Sequence, residues 1–117
     1  MITDHTTEVK VHKHKVARIT DLIDYSPESV VSRELIKRRT GSVTLFAFDK
    51  GERLSEHIVP FDAMAYLVEG EVEVVISGKP YTVKKDEMII MPANEPHSLK
   101  ATKRFKMVLT MIRNDRQ

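Results

Sequence analysis

The chain has 117 residues, no cysteine, and 19 lysines and arginines against 17 aspartates and glutamates, a net charge of +2. That length describes one domain, able to bury roughly two-thirds of its unfolded surface without staples. Absence of cysteine excludes disulfides, thiolate zinc ribbons and thiol nucleophiles, and suits a reducing compartment.

The chain starts M-I-T-D-H-T-T-E, with acids and no apolar h-region, so it does not read as a secretory signal. Its apolar runs are too short to span a bilayer. A cytoplasmic protein with no membrane partner is the expectation. Lys37-Arg38-Arg39 is the only compact basic run, and there is no tryptophan. A nucleic-acid surface needs more basic residues interleaved with aromatics, so none is expected, and the run reads as a solvated strand end or turn.

Residues 1–28 read as an N-terminal arm carrying a short helical turn or loop. Val9 and Val11 alternate with lysines in V-K-V-H-K-H-K, which suits an edge strand. His12 and His14 stand two apart there, and solvation explains them better than a metal does. Ile19 to Tyr25 allows one helical turn, and Ser26-Pro27-Glu28 punctuates the chain.

From residue 29 onward the pattern is strand. Val30, Val31, Leu35 and Ile36 mark the first, and Ser42 to Phe48 alternates as the second. Asp49-Lys50-Gly51-Glu52 is a turn. Ala63 to Val68 and Val72 to Ile76 flank Glu69-Gly70-Glu71. Ser77-Gly78-Lys79 closes a hairpin onto Tyr81-Thr82-Val83. Met88 to Met91 is halted by Pro92, and Phe105 to Ile112 is the last strand. Short strands at spacings near ten residues, with turn signals between them, predict an all-β sandwich or barrel. Met64, Met88, Met91, Met107 and Met111 lie on these strands and read as core filling. Glu69, Glu71 and Glu73 read as a solvated sheet face.

Two stretches carry more. Gly51 to Gly70 reads G-E-R-L-S-E-H-I-V-P-F-D-A-M-A-Y-L-V-E-G, and Asp86 to His97 reads D-E-M-I-I-M-P-A-N-E-P-H. They resemble the paired motifs of the small single-domain cupins, over about residues 40 to 112. The first cupin motif runs Gly, five residues, His, one residue, His, three or four residues, Glu, six residues, Gly. Gly51, His57 and Gly70 stand in register with it, while Val59 holds the second His position and Ala63 the Glu position. Pro92 and His97 match the second motif, and Asn94 replaces its usual glycine with a residue that also tolerates a left-handed backbone.

The resemblance implies an antiparallel double-sheet jelly-roll barrel over residues 29–117. It places His57, Val59, Ala63 and His97 at the barrel mouth, where a small organic ligand would bind. Of the family's four metal ligands only His57 and His97 remain for a zinc, nickel, iron or manganese ion. A third ligand would have to come from Glu56, Asp62 or Asn94. Small cupins are often homodimers, and the arm with Val9, Val11 and Val16 offers a strand to a partner. Ser55 and Ser98 adjoin the two histidines, but strand neighbours face opposite ways, so neither makes a nucleophile–base pair. Three functions stay open: a ligand-binding barrel without a tight metal, a metal-dependent dioxygenase or isomerase, and a non-catalytic interaction or structural module.

Overall fold

The structure, a computed structural model, describes residues 14–114. The alternation of Val9 and Val11, and His12 of the His12/His14 pair, lie outside the described residues. Nine strands follow one 3₁₀ turn at Ile19–Asp21. They are β1 (Val30–Arg38), β2 (Gly41–Phe48), β3 (Arg53–His57), β4 (Phe61–Glu69), β5 (Glu71–Ile76), β6 (Lys79–Lys84), β7 (Met88–Met91), β8 (His97–Lys100) and β9 (Phe105–Arg113).

Two antiparallel sheets form, the double-sheet jelly roll that the motifs imply. One has the order β1-β2-β9-β4-β7 and the other β3-β8-β5-β6. Alternation decides which side chains enter the space between them. On β5, Val72, Val74 and Ile76 are buried while Glu71, Glu73 and Val75 are less so. The β5–β6 hairpin turns on Ser77 and Gly78, both at positive φ (48° and 83°), the type I′ geometry that matches strand twist.

Phe48 and Phe105 are cross-strand partners and stack at 4.6 Å with 17° between their planes. Leu67, Val72, Val74, Met91 and Met107 pack into the same core. Met64 and Met88 do not: they stand on the outer face and are exposed, so their place on strands does not make them core. The period-two pattern could not tell the two faces apart where both are apolar.

A second, smaller cluster lies outside the five-stranded sheet. Ile23, with Leu22 and Tyr25, covers Leu45, Ala47 and Val108. Tyr25 pins this segment down. Its hydroxyl donates to Glu69 Oε2 at 2.5 Å, and Arg104 lies 4.5 Å over its ring. Burial, then the Glu69 contact, pushes the phenol well above its ordinary range. Glu69 is thus a partner for a tyrosine and not simply a solvated acid. Lys106 Nζ adds a bond to Thr20 O at 2.8 Å. No helix among the described residues is long and apolar enough to cross a membrane.

Two motif glycines differ in what holds them. Both lie at positive φ, Gly51 at 87° and Gly70 at 86°. A Cβ on Gly51 would meet nothing within 4 Å, whereas one on Gly70 would sit 2.0 Å from Arg104 O and 2.6 Å from Phe105 Cα. Gly51→Ala should therefore cost only the left-handed strain, about 1 kcal/mol. Gly70→Ala adds overlap with backbone that cannot swing away, and should cost about 3 kcal/mol or more. Urea unfolding of the two variants checks the contrast, and equal losses would refute it.

Candidate functional site

The two histidines are brought together by strand register. β3 pairs with β8, and a shift between Leu54 and His57 sets His57 directly opposite His97. On its other side, β8 pairs with β5, placing Ile76 opposite His97. The imidazoles meet edge to face, with centroids 4.4 Å apart and 67° between planes.

Each ring is held by the same device. His57 Nδ1 lies 2.9 Å from Ser55 O, and His97 Nδ1 lies 3.3 Å from Glu95 O. A carbonyl only accepts, so these contacts assign the proton to Nδ1 and leave a lone pair on Nε2. Both carbonyls belong to the residue two before the histidine. Nothing in a sequence marks a backbone oxygen as an anchor, so Ser55 and Glu95 carry no signal for this role.

The loop before His97 is tied to three places. Asn94, at φ 66°, donates its N–H to Val59 O at 2.9 Å. Ala93 N–H donates to Asp62 Oδ1 at 2.9 Å. Ser77 N–H donates to Pro96 O at 2.9 Å, and Ser77 Oγ to Glu95 Oε1 at 3.1 Å. These bonds fix where His97 enters β8.

The remaining predicted positions fall as follows. β3 ends at His57, so Val59 stands past the strand, half-buried, in the connection to β4. Ala63 is buried on β4 with Met91 and Met111 as its cross-strand partners. Asp62 is exposed on the outer face and caps Ala93 N–H. Glu56 is exposed and lines a hollow outside the four-stranded sheet, together with Ser55, Ser98, Arg53 and Lys100. Asn94 is exposed. Among the described residues no group of three or more His, Cys, Asp or Glu is placed to hold a metal ion.

His97 is buried at 4% exposure, while His57 keeps more contact with solvent. Burial is the larger reason that the His97 pKa is lowered, and the charge of a protonated His57 is the second. The Glu95 carbonyl opposes both. His97 is thus held neutral near pH 7, as an acceptor at Nε2.

Comparison with known proteins gives one consistent answer about fold. The cupin domain family matches residues 44–113, well over half of the chain. A conserved protein of unknown function from Streptococcus pyogenes, SPY1581, superposes with a TM-score of 0.87 at 30% identity, over 92% of this chain and 95% of that one. A cupin 2 conserved barrel domain protein from Leptotrichia buccalis gives 0.78 at 35% identity, over 80% of this chain and 46% of that one. Polyketide synthase CurC of Streptomyces cyaneus is 32% identical over 59 residues, half of this chain. The match spans only 38% of CurC's length.

The lowered His97 pKa has a consequence for stability. Below about pH 6.5 the unfolded chain takes a proton on this histidine before the folded chain does. Stability from His97 is therefore complete above that pH and lost as pH falls towards the folded value. Urea midpoints of wild type and His97→Gln between pH 8 and pH 5 check the sign. Wild type should lose more stability on acidification than the variant, and parallel profiles would contradict it.

Proposed function

The chain belongs to the cupin domain family, and we propose that its barrel binds a small organic molecule through His57 and His97, using their Nε2 atoms as paired acceptors. The observation that carries the reading is the edge-to-face pair of rings, each with Nδ1 turned to a carbonyl. Nε2 acceptors favour a ligand that presents hydroxyl or N–H donors over a carboxylate, which needs donors itself. The partial exposure of His57 supports access from the mouth and speaks against a closed structural module.

A metal centre fits the residues poorly. Catalytic zinc takes three protein ligands, and iron(II) oxygenases take two histidines and a carboxylate. Here Val59 and Ala63 stand at two of the family's ligand positions, and Asp62, Glu56 and Asn94 are directed elsewhere or engaged. The chemistry of the site is therefore assigned to the two imidazoles. We place the protein in the cytoplasm, on the sequence reading given above.

Catechol and benzoate make a discriminating pair of probes, one a neutral hydroxyl donor and one a carboxylate. Long-range ¹H–¹⁵N spectra at pH 8 should show Nδ1-protonated rings whose Nε2 signals move with catechol and not with benzoate. His97→Gln should weaken catechol binding about tenfold, the order expected when one acceptor of a buried pair is lost. An unchanged affinity in both His97→Gln and His57→Ala would overturn the site. Elemental analysis tests the other side: near one metal ion per chain surviving chelator dialysis, and lost in His57→Ala, would replace this reading with a metal centre.

A further inference from the structure

The outer face of the four-stranded sheet carries a hollow of about 350 Å³, a volume in the range of small-molecule sites. Strand alternation explains most of its lining. On β8, His97 and Leu99 are buried on the inner side, so Ser98 and Lys100 stand outside. On β5, Glu73 and Val75 do the same. β3 departs from the rule, because Ser55 and Glu56 are neighbours and both are exposed. The register shift between Leu54 and His57 is the cause: two residues of β3 face the single Ser98 of β8. Such a bulge re-aims side chains, and here it turns both residues to the hollow.

Register also arranges the charges. Arg53 lies opposite Lys100, and Lys100 lies opposite Glu73. Read across the strands, the row is cation, cation, anion. Like charges directly opposite each other destabilise a sheet. An ion pair between Lys100 and Glu73 would relieve this one, yet none forms. Among the described residues, Arg53, Glu56, Glu73 and Lys100 bond to no other charged side chain. Glu71, on the same face, differs: Thr102 Oγ1 lies 3.2 Å from its carboxylate. Two cations and two acids thus line one hollow without pairing, and their charges sum to zero.

We propose that this hollow binds a small zwitterion, an α-amino acid with an apolar side chain. Its carboxylate lies between Arg53 and Lys100 and removes their repulsion, with the Ser98 hydroxyl as a further donor. Its ammonium group lies at Glu73, the next charge along the row. Its side chain covers Val75, which stands opposite Ser98 in the adjacent row. Neighbouring strands are about 4.8 Å apart, so the long side chains of three strands converge on one small molecule. A simple anion would satisfy the cations and face Glu56 and Glu73 unpaired, and a simple amine would meet the reverse. Charges of both signs therefore select a ligand that carries both. The hollow is on the opposite side of the sheet from the imidazole pair, and the proposal is independent of how that pair is read.

Three probes of matched shape test it: L-valine, isobutyrate, which lacks the ammonium, and isobutylamine, which lacks the carboxylate. In ¹H–¹⁵N titrations of the full chain at pH 7, L-valine should give saturable shifts at Ser98, Lys100, Glu73 and Val75. Isobutyrate and isobutylamine should each bind at least tenfold more weakly. Arg53→Gln and Glu73→Gln should each weaken L-valine about tenfold, the order expected for one lost charge-assisted bond. Glu73→Gln should leave isobutyrate no weaker, and Lys37→Gln, on the other sheet, should leave L-valine unaffected. Circular dichroism confirms the fold of each variant. Absence of saturable L-valine shifts at these residues would overturn the proposal. So would isobutyrate binding as tightly as L-valine, which would mark a simple anion patch, or L-valine binding indifferent to both Arg53→Gln and Glu73→Gln.

Discussion

The architecture turns on one residue of chain between two sheets. β4 ends at Glu69 in the five-stranded sheet, and β5 begins at Glu71 in the four-stranded one. Gly70 alone makes the crossing. Its left-handed φ redirects the chain, and the space where a Cβ would stand is taken by Arg104 O and Phe105 Cα. The β4–β5 corner and the start of β9 are thus in backbone contact. That closeness brings Phe105 under Phe48 and leaves Leu67 and Val72 with no exposed surface. It also sets Glu69 where Tyr25 reaches it, so the outer strap is fastened at the same corner. Beyond the corner, β5 runs beside β8 and delivers Ile76 to His97.

The histidine pair follows from that placement and from a local conflict. Two imidazoles in contact cannot both be charged in a half-dry site, because burial and mutual repulsion act in the same direction. Leaving a buried N–H without a partner would cost about 1–3 kcal/mol. The Ser55 and Glu95 carbonyls remove that cost by accepting from Nδ1 of each ring. On a neutral ring that arrangement leaves the lone pair on Nε2.

Much of the fold was readable before any coordinates, and the exceptions have physical causes. The long alternating strands β2, β4, β5 and β9 declare themselves by period two, and Ser77-Gly78 marks its hairpin. β3 (R-L-S-E-H) and β8 (H-S-L-K) are short and polar, so periodicity passes over them, yet they carry both histidines. Spacing within the cupin motifs found His57 and His97 where hydropathy could not. No pattern predicts that Tyr25 binds Glu69 44 residues away, or that the carbonyl two before each histidine fixes its tautomer. Met64 and Met88 misled for the opposite reason. Their strands are apolar on both faces, and composition does not say which face is inside.

Ala63 and Val59 gain meaning from the facing sheet. Ala63 sits between Met91 and Met111, both on neighbouring strands of the five-stranded sheet. A carboxylate there would be buried among methionines with no cation to pair it, at a cost of several kcal/mol. Alanine turns the same position into smooth apolar wall. Methionine is unbranched and polarisable, and adapts to irregular shapes. The interior therefore sets the imidazole pair of one sheet against a close-packed apolar wall on the other. Alanine at this ligand position is in this sense coherent with the packing around it, and the strands that frame the histidine pair keep their register.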